Sequence, residues 1–155
     1  MRVAVLTDDF NVLKKAWSRI EGFQHVFLAT DDEGHPRVRP VTLISFEKRL
    51  WIATDTKSAK VKQIKKNPKL EFSFAFKEKD QDCCLRVLGI AKIVKDREIK
   101  TKLAAHLPFF KEHWKDVDDP NYTLLEIRPR EVECVTPEET LHVKFSRLIR
   151  SMKSN

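Results

Sequence analysis

Hydrophobic positions at the start of the chain recur every three or four residues. Phe10, Leu13, Trp17 and Ile20 predict an amphipathic helix near residues 9–21 that packs on the body of the protein, with Trp17 as a core residue. The pattern then changes to runs suited to strands. Phe23 to Thr30, a polar turn at 31–35 and Pro36 to Ile44 read as a hairpin, and Arg49 to Thr54 reads as a third strand. Ser58 is placed to cap a helix of at most about three turns, with Val61 and Ile64 on one face. Asn67 ends it as a residue tolerant of the left-handed conformation, ahead of the breaker Pro68.

Strict alternation follows. Phe72, Phe74 and Phe76 alternate with Glu71, Ser73 and Ala75, a strand with one strongly buried face. The next strand, Cys83 to Val94, is apolar on both faces, which implies cover of the second face by a helix or another subunit. Gly89 within it marks a bulge or the close approach of another backbone. Asp96 caps a helical stretch to about Ala105 with Ile99 and Leu103 inward, and Pro108 opens a helical turn holding Phe109, Phe110 and Trp114. Residues 116–121 form a loop. Tyr122 to Cys134 is a long strand interrupted near Pro129, and Leu141, Val143 and Phe145 mark a last strand before a basic tail. The body is mostly β with helical additions.

With 155 residues, 41% hydrophobic and only three glycines, the chain is the size of one domain, read as spanning 1–155, with enough apolar residues for one core. Its net charge of +7 suits nucleic acid, an acidic membrane surface or a phosphorylated small molecule. Lysines gather at 57–66 and basic residues at Lys144, Arg147, Arg150 and Lys153, but without the interleaved aromatics of a single-strand binding platform, so nucleic acid is an unlikely partner. No apolar stretch reaches the roughly 18 residues of a membrane span, and Val3 to Leu6 is too short for a signal core, so a cytoplasmic protein is expected. Cys83, Cys84 and Cys134 contain no Cys-x-x-Cys pair and are expected as reduced thiols. Hydrolase and metal chemistry find no support: there is no Gly-x-Ser-x-Gly turn, and His25, His35, His106, His113 and His142 lack metal-ligand spacing. The paired acids at 31–32 and 118–119 belong to turns, where solvation explains them.

One segment points to chemistry. A helix opened at Ser58 presents unpaired backbone N–H groups, and Lys57 and Lys60 add charge, which together make a seat for a phosphate. On this segment alone, a capped surface helix with solvated lysines is the commoner meaning of such a run.

The company of the segment changes the balance. Phe27-Leu28-Ala29-Thr30 with Gly34-His35-Pro36, Arg39-Pro40-Val41, Ala53 to Lys60, Asn67-Pro68 and Leu88-Gly89-Ile90-Ala91 occur in that order. The ordered set resembles the pyridoxamine 5'-phosphate oxidase-like split-barrel flavoproteins, and in particular their general stress protein branch. The resemblance covers most of the chain and implies an antiparallel, mainly β (α+β) FMN-binding split barrel, a homodimer with flavin sites at the subunit interface, and a small-molecule redox substrate. The residues matching its flavin-contacting positions are Arg39, Pro40, Val41 and Thr42 on one strand, Ala53 and Thr54 on the next, and Ser58 and Lys60 at the helix start. Arg39 would fork onto phosphate oxygens, Thr54 and Ser58 would donate hydroxyls, and Lys60 would supply a point charge. Val41 and Ala53 would serve as walls or through their backbone. Trp114 either stacks on a flavin from the partner subunit or packs beside Phe109 and Phe110.

Two departures matter. Where the vitamin oxidases carry a glutamine near the flavin this chain has Cys84, and their C-terminal Trp and Arg elements have no counterpart, so the expected protein is an FMN-dependent oxidoreductase of unassigned substrate. Flavin carries the redox step, so no side chain need act as acid or base. Alternatives are a haem- or deazaflavin-binding relative on the same barrel, with His142 or His25 as the haem histidine, and a non-catalytic module binding flavin or nucleic acid.

Overall fold

The computed structural model describes residues 2–145, with side chains from residue 10 onward. A helix α1 (Arg2–Trp17) leads into β1 (Phe23–Asp32), β2 (His35–Phe46), β3 (Arg49–Asp55), α2 (Ala59–Lys66), β4 (Lys69–Glu78), β5 (Gln81–Ile93), α3 (Arg97–His106), α4 (Phe110–His113), β6 (Tyr122–Val135) and β7 (Thr140–Lys144). All strand pairs are antiparallel in the order β3-β2-β1-β4-β5-β6-β7, and β3 also pairs with β6, which closes a barrel. β6 is long enough to serve two partners along one edge. Its first half, Tyr122–Ile127, takes β3, and its second half, Glu131–Val135, takes β7.

The closure leaves a fork that positions the site. β2 and β3 pair only at Ile44–Trp51, Ser45–Leu50 and Phe46–Arg49, beside a two-residue turn whose Glu47 and Lys48 have φ of 49° and 59°. Beyond Ile44, β2 stays with β1 while β3 leaves to join β6. The Ser45 N–H donates to the Gly22 carbonyl on the β1 side at 2.8 Å, so even-numbered residues of β2 turn their backbone groups the other way. Pro36, Pro40 and Thr42 therefore present their backbone to the open edge. Neither proline sacrifices a ladder hydrogen bond, which is why two prolines fit inside one strand.

The barrel interior is packed by Val26, Leu28, Leu43, Ile52, Phe72, Leu85, Val87 and Leu125. A second buried cluster lies outside it, where Ile44, Trp51, Leu124 and Tyr122 of the sheet meet Leu103, Leu107, Phe110 and Trp114 of the α3–α4 region. Among the described residues, the outer face of β2-β1-β4-β5 has no such cover. Val38, Ala29, Glu71 and Leu88 form one row across it, with Pro40 and Phe27 beginning the next, and Val38, Phe27 and Leu88 are 65%, 58% and 42% exposed. Among the described residues, no helix covers the second apolar face expected for β5.

Several local expectations are corrected. α1 ends at Trp17 rather than near residue 21, and Phe10 is 64% exposed, so Ala16 takes the inward position with Leu13 and Trp17 partly buried beside it. Ile20 reaches the core through the turn that follows, whose N–H groups bond back to Ala16 and Trp17. α2 has eight residues, about two turns. Asn67 is extended at φ −139° rather than left-handed, because the residue before a proline is pushed out of helical conformations. Asp96 caps α3 as expected, its side chain accepting from the N–H groups of Glu98 and Ile99. The interruption near Pro129 is a register shift opposite Leu88 and Gly89. All three cysteines are free, and burial pushes the Cys84 and Cys134 thiols upward, away from the reactive thiolate. No helix among the described residues is long and apolar enough to cross a membrane. The basic tail at Arg147, Arg150 and Lys153 lies outside the described residues.

Candidate functional site

The fork between β2 and β3 holds a cavity of about 300 Å³. Pro40, Val41, Thr42 and Ile44 line one side and Ile52, Ala53, Thr54 and Asp55 the other. Phe109, His113 and Trp114 from the α4 region form a third wall, and Lys60 closes one end. Trp114 is fixed there by Phe110 and Tyr122, with ring centroids at 5.3 and 5.0 Å, and by its indole N–H, which donates to the Asp55 carboxylate at 3.0 Å. It both packs and faces the cavity.

The polar end is built on α2. Ser58 occupies the N-cap position, and its carbonyl accepts from the Val61 N–H at 3.1 Å, but its hydroxyl makes no capping bond. Instead the Ser58 Oγ is buried with no hydrogen-bond partner among the described residues. A buried hydroxyl left this way costs free energy unless something arrives to bond it. The Lys60 Nζ donates to Thr54 Oγ1 at 2.7 Å. Burial lowers its pKa, the nearby Arg39 charge lowers it further, and Asp55 opposes both. Two cations held this close at the start of a helix favour an anion.

Arg39 has a second occupation. Its side chain points to the barrel interior opposite Leu28, and it donates to Thr30 Oγ1 at 2.6 Å, Gln63 Oε1 at 2.7 Å and the Leu28 carbonyl at 3.3 Å. Thr30 also donates to Gln63 Oε1 at 2.6 Å, so the three side chains plug the polar end of the barrel. A guanidinium has five N–H donors, and three bonds leave two for a ligand.

Of the residues singled out from sequence, Pro40, Val41, Thr42, Ala53, Thr54, Lys60 and Trp114 come together around the cavity. Arg39 and Ser58 do not line it and stand beside its Lys60 end. Asp55, His113 and Gln63 had no assigned part. Gln63 carried one signal, a polar residue between Val61 and Ile64 on the inward face of α2, where it is buried. His25 and His142 are far from this role, since neither lines the cavity and His142 is bonded to Glu131 at 3.0 Å.

A family model described as pyridoxamine 5'-phosphate oxidase matches residues 13–136. General stress protein 26 of Bacillus subtilis is 30% identical over 120 residues, covering 76% of this chain and 84% of that protein. Among solved structures, a pyridoxamine 5'-phosphate oxidase-related, FMN binding protein from Nostoc punctiforme superposes with a TM-score of 0.65 at 21% identity, covering 85% of this chain and 84% of that one. A heme binding protein from Mycobacterium smegmatis has the same fold with a TM-score of 0.64 at 18% identity, covering 78% of this chain and 53% of that one.

Proposed function

Because the chain belongs to the pyridoxamine 5'-phosphate oxidase family, we propose that it is an FMN-binding flavoprotein, an oxidoreductase of unassigned substrate that works as a homodimer. The observation that carries this reading is the partnerless buried Ser58 hydroxyl at the N-terminus of α2, with Lys60 and the two spare donors of Arg39 beside it. These are the donors that a ribityl-linked phosphate needs. From that end, the cavity runs past the open edge of β2, where the Thr42 N–H is free to bond a ring heteroatom, to the flat wall of Trp114.

FMN supplies hydride and electron transfer when bound. The chain's own residues hold the phosphate, present backbone donors along the ring and exclude water with Phe109, Trp114 and Ile52. Pro40 both lines the cavity and is exposed on the same sheet face as Phe27, Val38 and Leu88. A second copy seated on that face would bury the apolar patch and complete the cavity.

The test is the visible spectrum of the purified protein, with release and identification of any chromophore. FMN in the supernatant is expected, together with loss of FMN binding in Arg39→Ala/Lys60→Ala and a dimer mass by light scattering. A colourless protein that takes up no FMN would sink this reading. One observation favours haem as a second reading: His113 lines the cavity, and a Soret band lost in His113→Ala would support it.

A further inference from the structure

A second cavity, of about 670 Å³, lies by Tyr122, the register partner of Asp55, which lines the first. It is within the range of small-molecule sites. Lys65, Lys95 and Lys100 surround it, and none of the three is ion-paired to a described residue. Thr56 and Thr123 also line it, their hydroxyls hydrogen-bonded to each other at 2.7 Å.

The two carboxylates at its rim are already engaged. Asp118 receives a fork from Arg97 at 3.0 and 2.8 Å. The oxygens of Asp119 accept from the N–H groups of Lys115 and Asn121, each at 2.9 Å. The cations outnumber the acids, so the cavity carries surplus positive charge. Lys100 Nζ stands 4.8 Å above the Tyr122 ring, which holds its ammonium against the wall. The Tyr122 phenol, pushed up to about 12 by burial, remains a neutral donor, and its long 3.5 Å bond to the Lys100 carbonyl is a weak one.

We propose that this cavity is a second ligand site, for a phosphorylated metabolite. Three ammonium groups, with the one hydroxyl proton that the Thr56–Thr123 hydrogen bond leaves over, suit a multiply charged, roughly spherical anion. A flat carboxylate would call for a free guanidinium fork, and the one at hand, Arg97, is spent on Asp118. The site shares no residue with the flavin cavity and does not depend on the flavin reading.

Pyrophosphate titrated by calorimetry is the probe, used on the whole chain carrying Arg39→Ala/Lys60→Ala so that the first anion seat is removed. Saturable binding of one equivalent per chain is expected, weakened at least tenfold when Lys95→Ala/Lys100→Ala is added and also weakened by Lys65→Ala. Absence of saturable binding would overturn the proposal, and so would affinity that ignores the lysine substitutions or is matched by chloride at equal ionic strength. Circular dichroism on each variant shows whether the exposed lysines were removed without unfolding. If Lys95→Ala/Lys100→Ala fails to fold, the decision passes to Lys65→Ala, whose unchanged affinity would equally overturn the proposal.

Discussion

A Cβ on Gly89 would stand 2.6 Å from the carbonyl oxygen of Arg128 and 3.2 Å from its carbonyl carbon. The register shift in β6 at this point brings two backbones together where only hydrogen fits. Both obstacles are main chain within a closed barrel, so neither can step aside. Gly89→Ala is expected to destabilise the fold by about 1–3 kcal/mol, read as a lower midpoint in urea with an unchanged slope. An unchanged midpoint would mean that the β5–β6 contact is looser than this geometry.

The Glu47-Lys48 turn carries strain of a different kind. Both residues have positive φ, as do Lys79 and Asp80 in the turn between β4 and β5. Such two-residue turns match the twist of a hairpin, but the conformation is unfavourable for side chains other than glycine, asparagine and aspartate. Lys48→Gly is expected to stabilise the protein by about 0.5–1 kcal/mol, seen as a rise in Tm. A fall in Tm would show that the entropy lost by glycine outweighs the relieved strain.

These turns also mark where local pattern stops being informative. The first hairpin was legible because Gly34, with φ of 90°, advertises its turn, whereas the other two turns contain no glycine. Ser58 and Asp96 announced two helix starts, and Pro129 announced the bulge in β6, each through chemistry confined to a few residues. Helical spacing puts Phe10 on the inward face, yet it is exposed, because spacing alone gives a face without saying where the helix meets the body. The fork depends on β3 pairing with β6, strands roughly 70 residues apart, and no local periodicity encodes that. For the same reason Arg39 read as a ligand arm alone, while its bonds to Thr30 and Gln63 exist only once β1, β2 and α2 converge.

Ser58→Ala separates a structural from a ligand role. The Ser58 hydroxyl makes no capping bond and is buried unsatisfied, so its loss should leave the ligand-free chain at least as stable as before, where removing a working cap would cost about 1 kcal/mol. Its loss should weaken FMN binding about tenfold or more, since a hydrogen bond to a charged phosphate is worth about 1.5–3 kcal/mol. Urea denaturation and fluorescence titration with FMN check the two halves separately. A large stability loss with unaltered FMN affinity would assign Ser58 to the fold instead.

Lys60 makes FMN binding depend on pH in a definite direction. Burial first and Arg39 second hold its pKa in the ligand-free protein below the ordinary 10.5. In the window between that lowered value and 10.5, the unfolded chain binds a proton that the folded chain does not, so the ligand-free fold gains stability as pH rises through it. Phosphate reverses the preference, because it favours the ammonium form, and binding must then take up a proton. FMN affinity should therefore fall as pH climbs toward 10.5, beginning earlier than an ordinary lysine would allow, with proton uptake measurable as a buffer-dependent heat. Lys60→Arg keeps its charge across this range and should flatten the decline. If the wild-type and Lys60→Arg profiles fall together, the titrating group lies elsewhere and Lys60 is not the phosphate's counter-charge.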